Sequence, residues 1–110
     1  MAVIVKTGSP NELLAKIYKA IDDKKVDTWS YDADGDLTQT GYEWKKLAWL
    51  KPAAGTDELR LIIIPPKESK ISVAVYSVYH AQFIEMLLAN FDQDFTEAGA
   101  TAKPAGDLLA

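Results

Sequence analysis

An α+β fold is what this sequence predicts: a mostly antiparallel sheet of about four to six short strands, with an N-terminal and a C-terminal helix packed on one face. Three observations lead there. A short β-rich segment is followed at once by a helix-start signal and an amphipathic stretch. A second amphipathic stretch lies near the other end of the chain. Between them, β-branched and aromatic runs are separated by turn residues, as in hairpins. The expected order is β-α-β-β-β-β-β-α.

Each element has its own local reason. Ala2 to Lys6 (AVIVK) is rich in β-branched residues and opens the chain as a strand. Ser9-Pro10-Asn11-Glu12 reads as a helix start, with Ser9 as N-cap, Pro10 at the first helical position and Glu12 closing a capping box. Leu13, Leu14, Ile17, Tyr18 and Ile21 recur at helical spacing, so this helix turns an apolar stripe to a core and ends near Lys24 and Lys25. Val26 to Tyr31 (VDTWSY) and Leu37 to Thr40 (LTQT) read as paired strands. Tyr42 to Leu50 (YEWKKLAWL) reads as a helical turn passing into a strand: Trp44, Leu47 and Ala48 are helically spaced, while Trp49 and Leu50 run extended toward Pro52. A turn at Ala53 to Asp57 precedes the clearest strand, Glu58 to Ile64 (ELRLIII), which Pro65-Pro66 stops.

From Lys70 to Tyr79 (KISVAVYSVY), alternating Ile71, Val73 and Val75 predict one more strand. The last helix is expected over His80 to Asp92, capped by Ser77, with Tyr79, Phe83, Ile84, Leu87, Leu88 and Phe91 on its apolar face. From about Thr96 the composition shifts to alanine, glycine, threonine and proline. That shift predicts one globular domain over residues 1–95 and a disordered tail over 96–110.

The 110 residues are 48% hydrophobic and 25% charged, ordinary values for one globular domain. Sixteen acidic against twelve basic residues leave a net charge of −4. A nucleic-acid binder needs a basic surface for phosphates, so no nucleic-acid partner is expected. The absence of cysteine rules out disulfides, thiolate metal sites and cysteine nucleophiles. No apolar run approaches the ~18 residues of a membrane span, so no membrane partner is expected. MAVIVKTGSP lacks the basic n-region and long apolar run of a signal peptide. The expectation is a soluble, cytoplasmic protein of bacterial type.

The stretch DADGDLTQTGYE, residues 32 to 43, resembles the calcium loop of an EF-hand. Asp32, Asp34 and Asp36 fall at loop positions 1, 3 and 5, and Glu43 at position 12, where a hard Ca²⁺ ion takes carboxylate oxygens. The departures are Leu37 where the loop needs glycine, Gln39 at a usually apolar position, and VDTWSY where a helix should enter. A hairpin explains the same residues more simply. Asp34-Gly35 suits a type I′ turn, which sets Tyr31 opposite Thr38 and Trp29 opposite Thr40. The hairpin reading is therefore preferred, with a weak cation contact at the turn as its remainder.

His80 is the sole histidine, and a lone histidine needs a nucleophile and an orienting carboxylate before it can catalyse anything. No catalytic residue and no cofactor follow from the sequence. Trp29, Tyr31, Tyr42, Trp44 and Trp49, interleaved with Lys45, Lys46 and Lys51, form an aromatic stretch. Trp29 and Trp49 are assigned to the core. Trp44, beside two lysines, is expected to be partly exposed, and Tyr42, Trp44 and His80 are the candidate partner- or ligand-contacting residues. Two functions fit. The first is a non-enzymatic protein-interaction domain such as an adaptor, antitoxin or immunity-like protein. The alternative is a small-molecule or metal-binding protein with an aromatic-lined pocket. Homodimerisation through a sheet edge or the last helix is compatible with both.

Overall fold

The computed structural model describes residues 1–102. They form an α+β architecture with a six-stranded antiparallel sheet and two helices: β1 (Ala2–Lys6), α1 (Pro10–Asp22), β2 (Trp29–Tyr31), β3 (Leu37–Gln39), β4 (Trp49–Ala54), β5 (Glu58–Ile64), α2 (Val73–Phe91) and β6 (Glu97–Thr101). The sheet order is β2-β3-β4-β5-β1-β6. After β1, the α1 segment carries the chain to the far edge of the sheet. Successive antiparallel neighbours then step back from β2 to β5, which pairs with β1. The α2 segment brings the chain to the other edge, where β6 pairs with β1.

Alternation along the strands selects the core. Val3 and Val5 of β1, and Leu59, Leu61 and Ile63 of β5, are fully buried. They join Leu13 and Ile17 of α1 and Tyr79, Phe83 and Leu87 of α2 in one hydrophobic cluster. The intervening Arg60 and Ile62 of β5 are exposed, as period-two side-chain geometry requires. Among the described residues, no helix is long and apolar enough to cross a membrane.

α1 starts at Pro10 as predicted, but no capping box forms. The Ser9 side chain makes no cap hydrogen bond. The buried Thr7 hydroxyl serves this corner instead: it accepts from the Ser9 N–H at 3.2 Å and donates to the Asp94 carbonyl at 2.8 Å. The end matches expectation. Lys24 adopts φ 60°, and the N–H groups of Lys25 and Val26 donate to the Ala20 carbonyl at 2.9 and 3.1 Å, a left-handed stop of the kind glycine usually provides.

Three further sequence expectations need correction. Residues 73–79 are helical, not extended, and the N-cap is Ser72, whose hydroxyl accepts from the Val75 N–H at 3.1 Å. Ile71, Val75 and Tyr79 are buried while Val73 is 61% exposed, so the burial period here is near four and the apparent alternation was a coincidence of spacing. Ser77, the expected cap, bonds its hydroxyl back to the Val73 carbonyl at 2.6 Å inside the helix. β4 also continues through Pro52 to Ala54, beyond the predicted turn start. Extending the Leu37↔Leu50 register places Pro52 opposite the hairpin turn, where its missing N–H breaks no ladder bond.

The third correction concerns the C-terminal side. Residues 97–101, read as the beginning of a tail, are β6, in register with all five residues of β1. The second helix is thus followed by a strand, and the order is β-α-β-β-β-β-α-β. Residues 103–110 of the expected tail lie outside the described residues.

Candidate functional site

The β2–β3 hairpin closes through a loop one residue longer than predicted, Ala33 to Gly35 rather than Asp34-Gly35 alone. Trp29 pairs with Gln39, Ser30 with Thr38 and Tyr31 with Leu37, rather than Trp29 with Thr40 and Tyr31 with Thr38. A type I′ turn needs positive φ at both central residues, and in this turn only Gly35 has it, at 83°. The Gly35 N–H donates to the Asp32 carbonyl and the Asp32 N–H to the Asp36 carbonyl, both at 3.0 Å. The loop is therefore a type I turn followed by a left-handed glycine. Asp32 decides this, because its Oδ1 accepts from the Asp34 and Asp36 N–H groups at 3.0 and 2.9 Å and fills the inside of the turn. The Tyr18 hydroxyl of α1 clamps the loop from outside, donating to the Gly35 carbonyl at 2.6 Å.

This turn gathers three of the four carboxylates singled out in the sequence. One oxygen each of Asp32, Asp34 and Asp36 lies within 4.8 Å of the others. Asp32 and Asp34 are exposed, whereas Asp36 retains 6% of its surface. Burial raises the Asp36 pKa, and the neighbouring Asp32 charge adds to the rise while Lys51 opposes it. Burial likewise raises Tyr18, with Asp36 and Asp32 contributing. Glu43 is exposed in the following loop and is not a member of this group. The EF-hand geometry, with its closing glutamate, is thereby not reproduced.

Residues 41–48 form a series of turns held from the inside by two hydroxyls. The Tyr79 hydroxyl of α2 donates to the Trp44 carbonyl. The Thr38 hydroxyl of β3 donates to the Ala48 carbonyl at 2.8 Å and accepts from the Lys46 N–H at 3.1 Å. The two oxygens are 3.1 Å apart. Trp44 is half-buried against the core, in keeping with its expected partial exposure. Tyr42 is 91% exposed, its ring accompanied by Lys45 Nζ at 5.8 Å from the centroid. Trp29 is fully in the core, edge-on to Tyr79 and Phe83 at centroid distances of 5.6 and 5.1 Å. Trp49 is only half-buried.

His80 stands apart from this loop. It is 3% exposed, its ring lies edge-on to Tyr76 at 4.7 Å, and its Nδ1 is 2.8 Å from the Tyr76 carbonyl. That carbonyl can only accept, so Nδ1 carries the proton and Nε2 is left as a buried acceptor without a partner. Burial pushes its pKa below the usual histidine value; the Tyr76 carbonyl pulls the other way, and the N-terminal ammonium adds to the depression. Tyr42 and Trp44 are thus carried by one loop, and His80 belongs to the interior of α2. The cleft of about 290 Å³ between α1 and the end of α2 is lined by Lys16, Lys19, Ala20 and Phe91 among others, and by none of the three.

Sequence reasoning overlooked the outward side of the sheet. Registers place Ile62 between Ala2 and Lys51, Ile64 beside Trp49, and Arg60 between Ile4 and Ala53. Ile62 is 39% exposed, and Ile4, Ile64 and Trp49 are partly exposed. Lys6 and Arg60 both pair with Glu58 at this side, at 3.2 and 3.4 Å. The signal was present in ELRLIII: three consecutive isoleucines in a strand cannot all face one core. Compared with known protein families, curated proteins and solved structures, the chain matches none.

Proposed function

We propose that this chain is a small acidic protein-interaction domain without enzymatic activity, of the adaptor, antitoxin or immunity kind, and that it docks its partner on the bare side of its sheet. In this reading α1 and α2 cover the same face, because both feed the single cluster built on Val3, Val5, Leu59, Leu61 and Ile63. The opposite face is then left to the partner. The observation that carries the reading is Ile62, 39% exposed on β5, with Ile4, Ile64 and Trp49 partly exposed on neighbouring positions and Lys6, Lys51, Arg60 and Glu58 at their margin. An apolar centre within a charged rim suits a docking surface. Lys6, Lys51 and Arg60 outnumber Glu58 at this margin, so charge complementarity there favours a partner presenting acidic groups. Enclosed in α2, His80 lends no support to an aromatic pocket with a titrating edge.

The test compares the tagged protein with its Ile62→Lys variant in capture from lysate of its native cells. The expected result is one protein retained at near-equal stoichiometry by the parent and lost from the variant, with the far-ultraviolet circular dichroism of the two unchanged. An identical retained set from both proteins would overturn the assignment of this face. Capture of an untagged second copy, abolished by the same substitution, would identify the partner as the chain itself.

A further inference from the structure

We propose that β6 is a docking edge for an extended segment of another protein, which adds a strand beside it and lowers one bulky apolar side chain over Gly99 onto Ile4. The first observation is an open backbone. β6 ends the sheet, and β1 occupies its one paired side. Ala2 and Lys6 turn their backbone groups toward β6: the Ala2 N–H donates to Thr101 Oγ1 and the Lys6 carbonyl accepts from the Thr96 N–H, both at 2.9 Å. Met1 and Thr7 turn theirs toward the β5 side, where the Met1 carbonyl accepts from the Ile63 N–H and the Thr7 N–H donates to the Asp57 carbonyl. Bonding direction alternates in this way along an antiparallel strand. Glu97, Gly99 and Thr101, in register with Lys6, Ile4 and Ala2, therefore face β1, and the N–H and C=O groups of Ala98 and Ala100 point out of the sheet. Among the described residues nothing bonds to them. Exposed edges are ordinarily blunted by lysine or proline; β6 carries neither, and its one charge, Glu97, stands at its start.

The second observation is a hollow of about 350 Å³ beside that edge, lined by Ile4, Lys6, Glu97, Gly99 and Thr101 among others. It lies on the side of the sheet away from the buried Val3 and Val5. A Cβ on Gly99 would meet nothing within 4 Å, and its φ is outside the left-handed region, so neither crowding nor conformation calls for glycine here. In an added strand the residue opposite Gly99 projects to the same side, and a large ring there covers the bare glycine as it does between ordinary strands. Main-chain hydrogen bonds supply the affinity of such an addition, and the hollow supplies selectivity. Charge decides the flanking residue. Lys6 is held by Glu58 at 3.2 Å, whereas Glu97 has no ion pair among the described residues. A lysine or arginine two residues from the bulky one stands beside Glu97 on that same side. A second copy of β6 can set only Glu97, Gly99 or Thr101 opposite Gly99, none of them bulky and apolar, so the segment belongs to a different protein.

This site is separate from the Ile62 face, since β1 lies between β5 and β6. The probe is a short threonine peptide with tryptophan at its centre and arginine two residues to either side, titrated into the full chain and followed by backbone amide shifts. The expected result is saturable shifts at Glu97–Thr101 and Ile4, with a dissociation constant of about 1 mM or below. Gly99→Val fills the hollow with a residue that suits a strand; it should melt no lower than the parent and lose the peptide. Ala100→Pro removes an outward N–H, which an edge strand tolerates, and should lose the peptide with its circular dichroism unchanged. Ile62→Lys should bind the peptide as the parent does. No saturable shift by about 5 mM peptide, or retained binding in either β6 variant, would overturn the site. A parent dimer in sedimentation equilibrium that Ala100→Pro dissolves would overturn the assignment to a different protein and identify a second copy as the occupant.

Discussion

Gly35 has φ 83°, and a Cβ built on it would lie 2.7 Å from the Tyr18 hydroxyl oxygen. Two separate costs therefore meet in a Gly35→Ala protein: a left-handed backbone for a non-glycine residue, about 1–2 kcal/mol, and a collision with the hydroxyl that clamps the turn. The expected destabilisation is about 2–3 kcal/mol by urea denaturation. Tyr18→Phe removes the colliding oxygen, so adding it to Gly35→Ala should recover part of the loss, although Tyr18→Phe alone is destabilising. Additive effects in this double-mutant cycle would refute the contact. At His80 the reasoning concerns protons. Its folded pKa lies below the ordinary value of 6.5, so below about pH 6.5 the unfolded chain binds a proton that the folded chain refuses. Stability is full above this value and falls as the pH drops through it, until the folded pKa is passed. His80→Leu, which also removes the orphaned Nε2, should erase that slope in denaturation curves taken across pH 7.5 to 5.5, and should change stability at the upper end by no more than about 1 kcal/mol.

The two helices begin differently, and the difference is measurable. Ser72 caps α2 with its side chain, since its hydroxyl accepts from the Val75 N–H. Ser9 occupies the same formal position at α1 without a side-chain bond. Ser72→Ala should cost about 1 kcal/mol, while Ser9→Ala should be near neutral; equal losses in chemical denaturation would contradict the geometry. Sequence signals at the two helices misled in opposite ways. The motif around Ser9 looked like a capping box because the residue types were right, but Thr7 binds the Ser9 N–H and the Asp94 carbonyl in its place. The start of α2 looked extended because Ile71, Val73 and Val75 alternate, and only burial separates that pattern from Ile71, Val75 and Tyr79 on a helix. At β6, Glu97–Thr101 has little intrinsic strand preference. It is a strand because β1 offers it an unpaired edge.

At the scale of the whole molecule, the sheet puts β4 and β5 at its centre and leaves Ile62 on the side away from the buried Leu61 and Ile63. A residue that is 39% exposed contributes modestly to folding, so the Ile62→Lys protein should lie within about 1 kcal/mol of the parent in a urea melt. That margin separates loss of partner binding from loss of fold. The acidic turn lies toward the opposite edge of the sheet from β6.

By itself the sequence determined the fold class, the first helix, the strands at Ala2–Lys6 and Glu58–Ile64, a hairpin turning near Asp34-Gly35 though not its type or register, and the half-exposed Trp44, because each of these follows from local periodicity or turn chemistry. Asp32, Asp34 and Asp36 were legible as a group for the same reason: a few residues apart on one turn, they need no tertiary contact to meet. Only the tertiary structure decided that Glu43 stays away from them, and that His80 is enclosed while Tyr42 faces solvent. It also decided where α2 begins, that β6 exists, and that Ile62 is partly exposed to solvent. These are consequences of which distant segment lies alongside, and burial and strand pairing are set by neighbours remote in sequence, which no local pattern encodes.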